Sequence, residues 1–378
     1  MNLFTAKSME LYEYIRQEER DAMLEQLFNS ANTPITLRDY ISTLNVNVIS
    51  RMVLGKKYVE NDENAVVTHR EFNELIQEYF VLNGFVNVGD LIPWVGFLDL
   101  QGLVKRMKAW PKKFDRFLEH VLDEHVERRK GVKDCVANDM VDVLLEVAED
   151  PSLEVKLERH NVKALTQDLI IGGTETSQVS IEWTMSELLK NPETINKARE
   201  ELDTVIGRER WVEEKDVGNL PYIEAIVKES LRLHPVVPIL APKEAREDCN
   251  VAGYDISKGT QLLVNVWSLG RDPSVWEYPN EFRPERFLGK DIDVKGHDFG
   301  LLPFGAGRRM CPAYSLGLRV VQATVANLLH GFQWRLTGNM KAEDLKMEET
   351  YGLSTPIKEP LKVVVYPRLP LHLYSNLV

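Results

Sequence analysis

Cys311 is the residue in this chain whose setting most suggests chemistry. It lies in PFGAGRRMCPAYSLG, residues 303–317, with Arg308 and Arg309 before it, Pro312 beside it and a helical pattern beginning just after. A lone cysteine is usually a small buried hydrophobe. Here the cationic neighbours and the helix N-terminus favour thiolate over thiol. A thiolate held in this way can serve as a soft axial ligand to haem iron and push electron density toward O–O cleavage. Gly305 and Gly307 would let the backbone approach a flat macrocycle. Phe304 would pack on the sulfur side, and Arg309 could pair with a propionate. Gly305–Ala306–Gly307 also begins a dinucleotide fingerprint, but Met310 stands where the third glycine belongs and no strand pattern precedes it, so that reading fails.

Two further clusters precede the cysteine. IGGTETS, residues 171–177, puts Gly172–Gly173, Glu175 and Thr176 inside a strong helical pattern. A glycine costs about 1 kcal/mol relative to alanine inside a helix, so an adjacent pair implies something packed against the backbone. The bland reading has Glu175 and Thr176 facing solvent. The functional one has a locally opened helix where O2 sits, with Thr176 donating a hydrogen bond and Glu175 feeding protons through water. KESLRLHP, residues 228–235, places Glu229 and Arg232 three apart on one helix face. On a surface that pair is worth about 0–1 kcal/mol. Buried, with Arg286 of FRPERF as a third partner, it would fix a scaffold.

The elements that must hold these residues are mostly helices. Leu11, Ile15, Leu24, Leu27 and Phe28 recur at helical spacing, and further helices are expected near 69–83, 113–130, 161–190, 192–206, 221–233 and 313–329. Residues 131–139 read as an exposed loop and 148–160 as a solvated helix end. Residues 249–267 alternate and carry Lys258–Gly259, which predicts a β-hairpin. Residues 272–312 are rich in Pro and Gly and read as ordered coil, and LKVVVY at 361–366 as a strand. The fold class is mainly α with small β elements. At 378 residues the chain is long enough to bury a large core, and its net charge of −12 argues against a nucleic-acid partner. Cys135, Cys249 and Cys311 are few and far apart, so neither a disulfide framework nor a structural zinc site is expected. No uninterrupted apolar run is long enough for a transmembrane helix.

Taken in order, these motifs resemble the cytochrome P450 family, and in detail its plant microsomal A-type group. Phe304, Gly307, Arg309 and Cys311 match F-x-x-G-x-R-x-C-x-G. Gly172–Ser177 match (A/G)-G-x-(D/E)-T-(T/S), Glu229 and Arg232 match E-x-x-R, and Pro284–Phe287 match P-E-R-F. The resemblance implies a single P450 domain over 1–378 that binds haem b (iron protoporphyrin IX) through Cys311. Phe304, Gly307, Arg309, Lys243, Gly172 and Gly173 would line the cofactor. Glu175 and Thr176 would deliver protons during O2 activation, and Glu229, Arg232 and Arg286 would form a structural triad. Substrate contacts are implied from the long helix before Gly172, from Val236–Leu240 and from the loop around Gly352–Thr355. The implied partners are O2, a small apolar substrate and an NADPH-cytochrome P450 reductase docking near the cysteine loop. The implied location is the cytosolic face of the endoplasmic reticulum membrane.

Three departures stand out. Ala313 replaces the last glycine of the cysteine motif, and Lys243 lies where relatives often carry His or Arg. The third is at the front: the resemblance leads to the expectation that the family's N-terminal anchor, part of its small β domain, a wall of the substrate pocket and a W-x-x-x-R haem clamp are missing from this sequence. The expected function is a haem-thiolate monooxygenase acting on a plant phenolic, flavonoid or terpenoid, with a lean toward phenolic ring hydroxylation. The alternatives are a truncated non-catalytic remnant and, disfavoured by the Glu175–Thr176 pair, a haem-thiolate hydroperoxide isomerase.

Overall fold

The computed structural model describes residues 3–57, 69–130, 137–152, 156–375 and 377. Thirteen α-helices occur among them. The first seven are α1 (Ala6–Leu11), α2 (Glu13–Asn29), α3 (Leu37–Leu54), α4 (His69–Gly84), α5 (Val88–Leu91), α6 (Leu103–Arg129) and α7 (Met140–Glu149). They lead into the longest, α8 (Arg159–Lys190), followed by α9 (Pro192–Val205), α10 (Pro221–Leu233), α11 (Val266–Leu269), α12 (Tyr314–Gly331) and α13 (Leu371–Ser375).

The position of α8 governs the rest. Glu158 and Asn161 start it with a reciprocal cap. Its second half is buried on all sides although it is rich in Ser and Thr. Those hydroxyls satisfy themselves within the helix: Ser180 donates to the Thr176 carbonyl (3.0 Å), Thr184 to that of Ser180 (2.7 Å) and Ser186 to that of Glu182 (2.8 Å). A polar sequence can therefore occupy the core without orphaned donors. Helices α3, α10 and α12 pack around it. The glycine pair splits in role. A Cβ on Gly173 would lie 2.4 Å from Cδ1 of Ile49, so this glycine lets α3 approach, whereas Gly172 faces open space.

Strand β7 (Lys362–Pro367) is the central member of a three-stranded antiparallel sheet, between β1 (Pro34–Thr36) and β6 (Phe332–Leu336). Two small pairs lie between α10 and α11: β2 (Lys243–Glu244) with β5 (Gln261–Leu262), and β3 (Cys249–Val251) with β4 (Tyr254–Ile256). One apolar core runs from Leu3 to Tyr374.

Several sequence expectations need correction. The hairpin turn is at Ala252–Gly253, both at positive φ, while Lys258–Gly259 joins β4 to β5. Helix α6 begins ten residues before Lys113 and runs through Pro111, because Leu103, Trp110 and Phe114 are buried and Trp110 donates its indole N–H to the Leu75 carbonyl (2.7 Å). Leu11 is 58% exposed, whereas Ile15, Leu24 and Leu27 are buried. Residues 131–136 of the expected loop, Cys135 among them, lie outside the described residues.

Gly173→Val should destabilise the fold by roughly 1–3 kcal/mol through overpacking. Urea unfolding should show much of that loss recovered in Gly173→Val/Ile49→Ala, where the space at Ile49 is restored.

Candidate active site

The cysteine loop is built by backbone. Gly305 (φ +72°) and Gly307 (φ +68°) take left-handed conformations that L side chains avoid. A short turn spans Gly307–Arg309, and the Cys311 N–H donates to the Phe304 carbonyl (2.9 Å), closing the loop on itself. The Phe304 ring packs near Tyr314 (6.2 Å between centroids). Ala313 is the N-cap of α12 with φ −99° and ψ 15°, a backbone that carries a Cβ without strain, so its departure from glycine fits.

Cys311 is half-buried. Burial pushes its thiol pKa up, opposed by the Ala313 backbone N–H. This corrects the sequence argument for a thiolate made by cationic neighbours. Arg308 and Arg309 are exposed, point their charge at water, and leave the sulfur to burial.

On α8 the expected opening of the helix is absent: the helix is continuous from Arg159 to Lys190, and the Thr176 hydroxyl donates back to the Gly172 carbonyl (2.8 Å). Glu175, about 100° around the helix from Thr176, points instead into a cavity of about 250 Å³ bounded by α3, α4 and the 350–356 loop. Ser354 donates to its Oε1, and Arg38 faces it from α3. Burial raises the Glu175 pKa to about 7, opposed by the Ser354 hydrogen bond and the Arg38 charge. Glu175 and Thr176 thus have different partners, Ser354 for the carboxyl and the Gly172 carbonyl for the hydroxyl. Arg38 was missed as a site residue, and Ser354, although inside the Gly352–Thr355 loop expected to contact substrate, was not foreseen as a partner of Glu175; both lie far from it in sequence, where no local pattern marks the contact.

Glu229, Arg232 and Arg286 come together in the structure. Arg232 grips Glu229 through Nε (2.7 Å) and Nη2 (2.8 Å), and Arg286 adds Nε (2.9 Å). The Glu229 and Arg232 side chains are fully buried. The remaining guanidinium donors take the Pro279, Glu281, Glu277, Tyr278 and Gly270 carbonyls, so the triad staples the coil between α11 and Phe287 to α10.

The family model described as cytochrome P450 matches residues 1–363. Trimethyltridecatetraene synthase of Zea mays is 46% identical, the match covering 99% of this chain and 71% of that protein. Flavonoid 3'-monooxygenase of Petunia hybrida is 39% identical, covering 99% and 74%. A zebra fish cytochrome P450 solved with progesterone superposes with a TM-score of 0.80 at 27% identity, covering 97% of this chain and 79% of that one. The chain belongs to the cytochrome P450 family. It is an oxidoreductase of the P450 monooxygenase kind found in plant secondary metabolism. Such enzymes use O2, a substrate and a redox partner, and their prosthetic group is haem b.

The residues present fit that group. Gly172 offers bare backbone with no heavy atom within 4 Å of where a Cβ would lie. Ile239 is 49% exposed beside Leu240, whose Cδ1 lies 3.5 Å from where a Cβ on Gly305 would be. Lys243, half-buried on β2, and Arg309 form no ion pair among the described residues and are available for carboxylates. Gly173 is the exception, since its close contact is with Ile49 and not with a cofactor.

Glu229→Gln should cost about 3–5 kcal/mol in chemical unfolding, because it leaves Arg232 and Arg286 with an uncompensated buried charge. Glu175→Gln should act through pH. The folded chain holds the Glu175 proton up to about pH 7, and the unfolded chain releases it near 4.5. Stability from this group is thus fully present below pH 4.5 and is lost as pH rises toward 7. Relative to the native chain, Glu175→Gln should gain up to about 3 kcal/mol between pH 4.5 and 8 in urea unfolding.

Proposed function

We propose that this chain is a haem-thiolate monooxygenase that inserts one oxygen atom of O2 into a small apolar plant metabolite, with an acyclic terpenoid as the first substrate class. The observation that carries this is the closed Cys311 loop at the start of α12, combined with the open backbone of Gly172 on α8, the helix against which α12 packs. The terpenoid class is supported by the 46% identity to two Zea mays enzymes named for branched polyenes, trimethyltridecatetraene and dimethylnonatriene synthase. Ring hydroxylation of a flavonoid is the second reading, supported by flavonoid 3'-monooxygenases at 39–41% identity.

Haem bound here supplies the reductive activation of O2. Cys311 would hold the iron through its sulfur as thiolate, and the Ala313 N–H would stabilise the sulfur charge. Arg309 and Lys243 would hold the propionates. Thr176 presents its hydroxyl on the same helix face as Gly172, and Glu175 passes protons from water in the adjoining cavity. Val236–Leu240 and the 352–355 loop contact the substrate. Electrons come from NADPH through a flavoprotein reductase docking by the cysteine loop.

No helix among the described residues is long and apolar enough to cross a membrane. The segment from Leu91 to Leu100 nevertheless exposes Leu91, Trp94, Phe97, Leu98 and Leu100, from 53% to 84% each. That surface supports a location against the cytosolic face of the endoplasmic reticulum membrane.

The test is the reduced carbon-monoxide difference spectrum of the haem-loaded chain, followed by turnover with a reductase on acyclic terpenoid alcohols and on flavonoids. A Soret band at the thiolate-ligated position that is lost in Cys311→Ala is expected. A band at the neutral-thiol position, or none, would overturn the assignment.

A further inference from the structure

The 350–356 loop links elements that are otherwise separate. A Cβ on Gly84, the last residue of α4, would fall 2.3 Å from the Leu353 nitrogen and 2.4 Å from the Gly352 carbonyl carbon, so the end of α4 rests directly on the loop backbone. The Leu353 N–H donates to the Phe80 carbonyl, and Tyr351 meets Phe85 edge-on at 5.9 Å between centroids. On its other side the loop reaches α8. The Thr355 carbonyl accepts from the Trp183 indole (2.8 Å), the Thr355 N–H donates to Val236, and the Ser354 hydroxyl, 2% exposed, donates to Glu175.

We propose that Ser354 is a positioning residue for Glu175: it ties that carboxyl to the 350–356 loop, so that the loop, and the end of α4 packed on it, set whether α8 can deliver protons. This rests on the monooxygenase reading, in which Glu175 passes protons. With the loop seated, Ser354 holds the carboxyl in the cavity, while the Thr176 hydroxyl is turned back to the Gly172 carbonyl. When the loop lifts, the Ser354 hydrogen bond breaks and the carboxyl is free to change rotamer. The proton leaves a Glu175 oxygen and is replaced from cavity water, so charge balances at each transfer. The charged group facing Glu175 is Arg38 of α3, itself held by Glu182 (2.8 Å) and the Ile357 carbonyl. The other polar groups lining the cavity include Gln77 of α4, Gln178 of α8 and Tyr351 of the loop. Arg38 is anchored on α3, so the moving part of the device is Ser354.

The first experiment needs no turnover. Infrared titration of the protonated carboxyl in the full chain, with Glu175→Gln assigning the band, should place Glu175 near pH 7 in the native protein. Ser354→Ala removes a donor that favours the carboxylate, so the midpoint should move up by about one unit. Ser354→Thr should restore it. Phe85→Ala, an exposed change on the α4 side, should move it in the same direction by less. In the haem-loaded protein with reductase, Ser354→Ala should raise the share of NADPH electrons lost as peroxide at least about two-fold. A purely structural serine would move thermal stability and leave the midpoint alone, and an unmoved midpoint in Ser354→Ala overturns the proposal. So does a moved midpoint with an unchanged peroxide share. If the native protein forms no product while the midpoint shifts as stated, the monooxygenase reading fails and the Ser354–Glu175 link stands.

Discussion

Glu229 accepts four hydrogen bonds, two from Arg232 and one each from the Arg286 side chain and the Arg283 backbone, at a position with no solvent exposure. A carboxylate buried so deeply is tolerable only because every donor it needs is charged or fixed. Its partners then spend their remaining N–H groups on carbonyls of 270–281, a stretch with little regular structure of its own. That coil leads on to the cysteine loop. The triad therefore replaces the sheet or helix that would normally hold such a segment, and the placement of Cys311 depends on it although no triad side chain takes part in the proposed chemistry.

Helix α8 solves a different problem with similar means. It must cross the core and still present polar groups at chosen points. Ser and Thr hydroxyls bonded back to their own helix leave few free donors along its buried half. Glu182, buried between Arg38 (2.8 Å) and the Leu361 N–H (3.2 Å), ties the helix to α3 and to the start of β7. Where the side chains stop, at Gly172, and where one carboxyl is left half-satisfied, at Glu175, the helix has something to offer a ligand. The raised pKa of Glu175 comes from the same burial that makes the rest of α8 a scaffold.

Much of this was legible from residue types and spacing. The triad could be read because its members are large, charged and close in sequence, and burial turned a weak surface pattern into a strong one. Most of the long helices could be read, but α3 is buried on most of its faces, shows no clear amphipathic stripe and was not named from the sequence. What escaped depended on contacts across the chain. Pro111 should end a helix by local rules, yet packing by Trp110 and Phe114 carries α6 through it. Strand β6 follows α12 without a break, so its five residues carry no separate signal. Ala252 is a poor choice for a left-handed turn residue, and Lys258–Gly259 looked the better turn. Ser354 lies 179 residues from Glu175, and its role exists only because the tail folds back onto α8.

The cysteine shows why geometry and charge must be argued separately. The backbone bond from Cys311 to Phe304 and the two left-handed glycines shape the loop whatever the sulfur's protonation state. The arginines that suggested a thiolate in the sequence are at the surface, where solvent screens them. Burial instead favours the thiol. A sulfur held at a fixed position but reluctant to ionise alone will ionise when a cation arrives to share the charge, since metal coordination deprotonates a thiol outright. The loop thus supplies position and one backbone N–H, and the iron would supply the driving force for deprotonation.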